Sequence, residues 1–325
     1  MKNYAIHKII QFFLIIPAVA IGSFILLNFS PVNPVEAYIG ADVMRVGPEQ
    51  RLKIEKQWGL DQPPTVRMLR WVQAICHGDF GTSLIFNKPV ATIIKERFIA
   101  SLSLMAAAWI FSGLIGYGLG VYAAFHRFSF IDKTIRSWSY VLAASPPFWL
   151  GIMLLIVFSV YLQVTPMCCE APPGLDESEI TLFMRIHHLI LPALTLSLAG
   201  VAAAALHTRE KVIDIMDSEY VTFARSQGES GMGLFLHHIF PNSLLPALTL
   251  QFASFSELYG GSVLAETVFS YPGLGRAAIM AGLRSDVPLL LGIVIFSTLF
   301  VFAGNTLADL CSRIIDPRIR LGEKL

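Results

Sequence analysis

Charge is scarce in this sequence. Charged residues make up 14% of the 325 residues, against about 25% in soluble proteins. Hydrophobic residues make up 54%, and no soluble core needs so much apolar sequence, so the composition predicts an integral membrane protein. The formal net charge of +1 gives no electrostatic reason to expect a nucleic-acid partner.

Catalytic motifs are missing as well. The sequence has no G-x-x-x-x-G-K-[ST] run and no Gly-Lys dipeptide, which excludes a P-loop for nucleotide phosphates. H-E-x-x-H, G-x-S-x-G and C-x-x-C are also absent, and with them the common hydrolase and redox sites. We therefore expect a chain that is not an enzyme and binds no cofactor. Energy for any transport must come from a partner or from an ion gradient.

Cysteines are few. They are Cys76, Cys168, Cys169 and Cys311. On the topology given below, the first three lie outside the cell membrane, where disulfides are permitted, and Cys76 could pair with either member of the adjacent pair. The nearby His187-His188 raises the alternative of a transition-metal site. Adjacent cysteines rarely have ligand spacing, so we expect no metal there.

Apolar runs long enough to cross a bilayer are abundant, since a span needs about 20 apolar residues. The sequence predicts six such spans, at Ile9–Phe29, Ser101–Phe125, Trp138–Leu162, Leu189–Leu206, Leu244–Val268 and Val287–Cys311. The first could be a secretory signal, but its apolar run exceeds the 7–15 residues, roughly, of a signal core. We interpret it as an uncleaved transmembrane helix.

Basic residues in the short loops predict the orientation, because they accumulate on the cytoplasmic side. With the N-terminus inside, the inner segments carry Lys2, Lys8, Arg127, Lys133, Arg136, Arg209, Lys211, Arg225, Arg313, Arg318, Arg320 and Lys324. The short outer loops carry only Arg185, Arg276 and Arg284. Both termini are therefore expected in the cytoplasm.

A polar insert, Asp214–Pro246, interrupts the apolar sequence on the same cytoplasmic side. Asp217 or Ser218 is expected to cap a short helix that starts near Glu219, and Gly228 to end it. Tyr220, Phe223, Ala224 and Gln227 fall on one face at helical spacing. The insert is acidic on balance, which disfavours an anionic membrane surface. We expect it to place a helix in a groove of a soluble partner.

The spacing within the insert resembles a known motif. The segment starts with Thr222-Phe223-Ala224, continues after three residues with Gly228, and closes after nine more with His238-Ile239-Phe240-Pro241. This spacing is similar to the "EAA" loop of ABC importer permeases, with Thr222 in place of the Glu. The form Tyr220-Val221, Ala224-Arg225 and Gly228 resembles the dipeptide, oligopeptide and nickel branch of that family.

Other blocks carry the same resemblance in order along the chain. They are Gly59–Pro63, His77–Leu84, Glu266–Arg276 and the tail Asp316–Arg320. Glu266–Arg276 is similar to the "ET-F--PGLGR" stretch of these permeases. On its own chemistry, His77–Leu84 is expected to form turns, because Gly accepts positive φ and Asp bonds locally.

The resemblance implies an all-α polytopic protein with the fold of type I ABC importer permeases (MetI-like). It implies residues 1–29 as the first transmembrane helix, 30–100 as a periplasmic loop region, 101–312 as the permease core and 313–325 as a cytoplasmic tail. The core would contain a coupling loop at 208–242. Implied partners are ABC ATPase subunits, a second homologous permease and a periplasmic substrate-binding protein, at the bacterial inner membrane.

The resemblance also assigns roles to residues. The residues that would contact or position the ATPase are Glu219, Tyr220, Phe223, Ala224, Arg225 and Gly228.

The translocation path is expected along the fifth span, where Glu257 is an acid within an apolar run and Tyr259, Gly260 and Gly261 follow. The glycines would permit close helix approach or local unwinding. Pro146 and Pro147 are expected to break or kink the third span.

The substrate stays open at this point. The short Gln163–Arg185 loop and the sequence around Phe148–Leu150 and Glu257-Leu258 look more like nickel permeases, so nickel or a metal chelate is the first hypothesis. Dipeptides, oligopeptides and antimicrobial peptides are the alternatives. A secondary transporter without an ATPase is a further alternative, but it would leave the insert unexplained and should show inverted repeats.

Overall fold

The computed structural model describes residues 2–29, 47, 49–50, 53, 61–176 and 178–315. These residues are almost entirely helical; within them the only β-type pairing is an isolated bridge between Thr82 and Pro89. The all-α prediction is therefore confirmed. The tail motif at 316–320 lies outside the described residues.

Twelve α-helices make up the described chain. They are α1 (Lys2–Asn28), α2 (Pro64–Cys76), α3 (Val90–Phe125), α4 (Phe130–Ala144), α5 (Pro147–Leu154), α6 (Leu182–Met216), α7 (Glu219–Ser226), α8 (Gly231–Leu234), α9 (Phe240–Ala253), α10 (Phe255–Val268), α11 (Leu274–Leu283) and α12 (Val287–Ile315). Two π-helical segments accompany them, Leu155–Tyr161 after α5 and Phe235–Ile239 between α8 and α9.

Four helices are long and apolar enough to cross a membrane. The spanning portions are Ile6–Leu26, Val90–Phe125, Leu182–Met216 and Val287–Arg313. They coincide with the first, second, fourth and sixth predicted spans. All four extend beyond the predicted boundaries at one end or both, because helical hydrogen bonding continues into the less apolar flanks.

The third predicted span is broken. The chain bends by 110° between helix α4 and the segment Pro147–Tyr161, and the two count together as a fifth candidate span. The break falls at Ser145-Pro146-Pro147, as predicted, because proline lacks an N–H and cannot continue the helix before it.

The fifth predicted span is divided between α9 and α10, of 14 residues each. They meet at Ser254, three positions before Glu257, whereas the sequence placed the interruption at Glu257 and the glycine pair. Neither helix alone is long enough to span a bilayer core of about 30 Å at 1.5 Å per residue.

One compact unit comprises Met1–Ala100 and Gly273–Phe302. Its core is formed by the start of α3 together with α11 and the first turns of α12, and it contains Val90, Ile93, Leu274, Leu289 and Ile293. All five side chains are buried. This unit holds the loop motif around residue 80.

Asp286 fixes that loop motif. The buried carboxylate accepts hydrogen bonds from the hydroxyl of Ser83 (2.5 Å) and the backbone N–H of Ile85 (3.0 Å). Its other oxygen accepts from the N–H of Leu289 (3.2 Å), in the first turn of α12. The predicted turns are present, with positive φ at Gly78 and Gly81.

The second unit comprises Ser101–Pro272 and Ala303–Leu325. Within it, α6 packs against α4, α5, α9 and α10. It contains the polar insert, the broken span and the divided span, so the residues predicted for coupling and for the translocation path all lie in this unit.

Candidate functional site

The insert forms the short helix α7 (Glu219–Ser226), close to the predicted limits. Val221 and Ala224, three residues apart, are 0% and 4% exposed. They belong to an apolar cluster that includes Ala124 of α3, Val212 of α6 and Ile239. One face of the insert helix is thereby held against the ends of two long helices.

The prediction that Ala224 shares the exposed face was wrong. Tyr220 and Phe223 are 45% and 65% exposed, and Glu219, Arg225 and Gln227 are exposed as well. Ala224 lies on the buried side with Val221, where both side chains pack in the apolar cluster that includes Ala124, Val212 and Ile239. The outward face thus presents two aromatic side chains and an arginine, residue types that are enriched where proteins contact one another.

The start of α7 differs from the prediction. Ser218 occupies the N-cap position, but its side chain makes no capping bond; the hydroxyl donates back to the carbonyl of Ile215 instead (2.5 Å). Asp217 does not cap either. Its carboxylate accepts two hydrogen bonds from Arg127, at 3.0 and 2.7 Å, and this ion pair connects the start of the insert to the end of α3.

The end of α7 agrees with the prediction. Gly228 has a φ of +90°. Its N–H donates to the carbonyl of Arg225 (3.0 Å), and the N–H of Glu229 donates to that of Ala224 (3.1 Å). These two bonds form a Schellman motif, in which glycine is preferred because it accepts positive φ without strain.

A buried ion pair lies beside the insert, between α4 and α6. Asp132 is fully buried and accepts hydrogen bonds from Arg209 Nε (2.5 Å) and Nη2 (2.7 Å). Arg136 Nε is 3.6 Å from the same carboxylate. Sequence reasoning used these basic residues only to predict orientation and missed the pair, because Asp132 and Arg209 are far apart in sequence.

A cavity of about 560 Å³ lies in the same unit. Small residues line much of it, with four polar side chains among them. The lining residues are Ser112, Pro147, Leu196, Ala199, Gly200, Ala203, Ala204, Leu250, Gln251, Ala253, Ser254, Glu257, Leu258, Gly260, Gly261 and Leu264.

The structure brings together three of the four predicted path residues. Glu257, Gly260 and Gly261 line the cavity, whereas Tyr259 is half-buried and outside the lining. A Cβ on Gly261 would lie 2.9 Å from Leu196 Cδ1, so this glycine permits close approach of α10 to α6. At Gly260 a Cβ would meet nothing within 4 Å.

Gln251 is a cavity residue that sequence reasoning missed. Its amide nitrogen donates to the carbonyl of Trp109 (2.7 Å) and the hydroxyl of Ser112 (2.8 Å). The indole N–H of Trp109 donates to the backbone carbonyl of Gln251 (3.1 Å). An amide within an otherwise apolar membrane segment is the signal that could have identified it.

The Glu266–Arg276 block is structural at its start. Glu266 is fully buried and accepts a hydrogen bond from Ser101 (2.6 Å). Tyr271 is also buried, with its hydroxyl 3.2 Å from that of Ser103. Burial raises the pKa of Tyr271 to about 12, so this hydroxyl stays protonated at neutral pH.

The cysteine–histidine cluster gives no support for a metal. Cys168 and Cys169 form a disulfide with each other, which corrects the suggestion that Cys76 pairs with one of them. His187 Nε2 and His188 Nδ1 each lie 2.9 Å from a backbone carbonyl, of Val164 and Cys168 respectively. Across the described ranges no group of three or more His, Cys, Asp or Glu side chains could hold a metal ion.

Comparison with known proteins identifies the family. Residues 116–321 match the model of the binding-protein-dependent transport system inner membrane component, which is more than half of the chain. The chain belongs to this family. It is a membrane-spanning permease subunit of an ABC importer and not an enzyme. Membership implies an ATPase and a substrate-binding protein as partners.

Relatives match the permease over almost its full length. It is 32% identical over 322 residues to the oligopeptide transport system permease protein AppB of Bacillus subtilis (strain 168), covering 98% of this chain and 99% of that one. It is 34% identical over 320 residues to a protein of Brucella abortus (strain 2308) named provisionally as a peptide transport system permease, with coverage of 98% and 99%. Neither name supports the nickel hypothesis.

A solved structure supports the fold. The permease resembles a chain of the inward-facing MetNI methionine ABC transporter with a TM-score of 0.56 and 13% identity, covering 70% of this chain and 97% of that chain. The predicted MetI-like fold of a type I importer permease is confirmed.

Proposed function

We propose that this permease forms part of the substrate path of an ABC importer for short peptides. The names of the two full-length relatives, which refer to peptides or oligopeptides, support peptides over the nickel or metal-chelate substrate that the sequence first favoured. The protein would lie in the bacterial inner membrane with both termini in the cytoplasm, as the distribution of basic residues suggests.

The coupling role is supported by the difference between the two faces of α7. Its buried face, Val221 and Ala224, rests on the ends of α3 and α6, while its outward face presents Tyr220 and Phe223 to solvent. An ATPase groove that received the two aromatic side chains would move a helix already attached to the transmembrane core. Glu219 and Arg225 would make the flanking polar contacts, and Gly228 would fix where the helix ends.

The path would run through the cavity beside α10. Glu257, Gly260 and Gly261 lie in its lining, and Tyr259 follows on the same helix. A second, homologous permease would complete the path, and a periplasmic binding protein would deliver substrate to the outer loop region at 30–100. In this proposal the permease core comprises residues 101–312 and contains the coupling loop at 208–242. A cytoplasmic tail follows at 313–325.

Uptake in whole cells tests the proposal. Radiolabelled nickel and a labelled dipeptide are supplied to cells with and without this chain, with the neighbouring transport genes present in both. We expect dipeptide uptake to depend on the chain and nickel uptake not to. Loss of nickel uptake alone would replace the peptide proposal with the metal one, and no loss of either would refute both substrates.

A further inference from the structure

Glu257 differs from Asp132 and Glu266, two buried acids of the same unit. Asp132 is paired with Arg209, and Glu266 accepts from Ser101. Glu257 makes no hydrogen bond or ion pair with any residue that the structure describes, and it lies in the lining of the cavity. An ionisable side chain at membrane depth is costly and usually faces a partner, an ion or a substrate.

The other polar groups of the cavity have already used their donors. Both amide hydrogens of Gln251 are donated, to Trp109 and Ser112. The hydroxyl of Ser112 donates to the carbonyl of Trp109 (3.0 Å), and the hydroxyl of Ser254 donates to the carbonyl of Gln251 (3.0 Å). The lining side chains therefore offer a ligand only acceptors, together with one negative charge.

The acceptor set indicates the charge of the ligand. Gln251 Oε1 accepts no hydrogen bond from the residues that the structure describes, and Glu257 is the only ionisable residue in the lining. An ammonium group has three donors and no acceptor, which matches this surface. A carboxylate would meet acceptors and a like charge, and a dehydrated metal ion would need several more anionic or neutral ligands than one carboxylate supplies.

We propose that Glu257 binds the protonated α-amino group of the peptide while it crosses the membrane, with Gln251 Oε1 as a second acceptor. This inference rests on the proposed peptide function and adds a specificity to it: the path itself selects substrates with a free amino terminus. A single ion pair in an open cavity also suits transport, because a site on a path must bind strongly enough for entry and weakly enough for release.

The test compares Glu257→Gln with Glu257→Asp in the whole importer, using one labelled short peptide in free and N-acetylated forms. Glu257→Gln keeps the volume and removes the charge, so uptake of the free peptide should fall about tenfold, with uptake of the acetylated form changed much less. Glu257→Asp should restore most of the uptake. Glu210→Gln is the matched control, since Glu210 is exposed on α6 and outside the cavity lining.

Either of two results would overturn the inference. One is equal uptake of the free peptide by the wild type and Glu257→Gln; the other is an equal loss for the free and acetylated forms. If the wild type does not import the acetylated peptide, the inference is tested by uptake of the free peptide in the Glu257→Gln and Glu257→Asp variants. Equal uptake by these two variants would refute the role of the charge. Absence of any peptide uptake that depends on the wild-type chain would instead refute the proposed function.

Discussion

The bidentate pair between Asp132 and Arg209 allows a quantitative prediction about how α4 is held to α6. Asp132 is 0% exposed and the Arg209 side chain 12%. Removing one partner of such a pair leaves an uncompensated buried charge, which costs about 3–5 kcal/mol. We therefore expect Asp132→Asn to lower the free energy of unfolding of the permease by about that amount.

A double variant separates the charge from the packing. Replacing both partners with apolar residues of similar size, Asp132→Leu with Arg209→Met, removes both desolvation penalties and should recover most of the stability. Asp217→Asn is the matched control, because its pair with Arg127 is exposed on both sides, at 55% and 39%, and pairs of that kind contribute about 0–1 kcal/mol.

Stability is measured on the purified permease in detergent, as the folded fraction remaining after heating. We expect similar folded fractions for the wild type, Asp217→Asn and the double variant, and a much lower folded fraction for Asp132→Asn. A loss in the double variant as large as that in Asp132→Asn would show that packing, and not the unpaired charge, determines the stability at this position.

Three further predictions concern the insert and the loop around residue 80. Phe223→Asp should abolish co-purification of the ATPase with the folded permease, while Phe183→Asp, at a similarly exposed aromatic residue on α6, should not; retained ATPase binding by the former would refute the docking face. Gly228→Val should reduce transport, because valine is strained at a φ of +90°, whereas Gly233→Ala, whose Cβ would meet nothing within 4 Å, should transport normally; equal transport would contradict the role of the helix end. Asp286→Ala should raise protease cleavage near residues 83–86, since three hydrogen-bond donors lose their acceptor at about 1–3 kcal/mol for each buried one, and unchanged cleavage would be evidence against that anchor.

Local chemistry was predictable from the sequence. The positions of the long helices followed from the apolar runs, although the helices continue past them, and the break at Pro146-Pro147 followed from the missing N–H groups. The end of α7 followed from Gly228, because few other residues accept its φ. Each of these features depends on residues within one or two turns of one another.

Features that depend on tertiary contacts were not predictable. Helical spacing shows that Tyr220 and Phe223 share a face, and that Val221 and Ala224 share another, but both faces carry apolar groups. Only the residues of α3 and α6 beneath the helix decide which face is buried. The prediction that Asp217 could cap α7 considered only its own helix. In the folded protein Arg127 offers the carboxylate a charged partner and two hydrogen bonds instead.

The sharp bend between α4 and α5 has a consequence for its own stability in lipid. A helix start normally leaves several N–H groups without acceptors, a serious cost where no water is present. Here two of those groups do not exist, because residues 146 and 147 are both proline, and the Pro146 carbonyl accepts from Trp149 and Leu150. Ser145 satisfies the other side, donating its hydroxyl to Val141 (2.7 Å) and its N–H to Leu142 (3.2 Å). The bend between α4 and α5 can therefore be a permanent feature of the protein. Opening and closing of the translocation path need not form it.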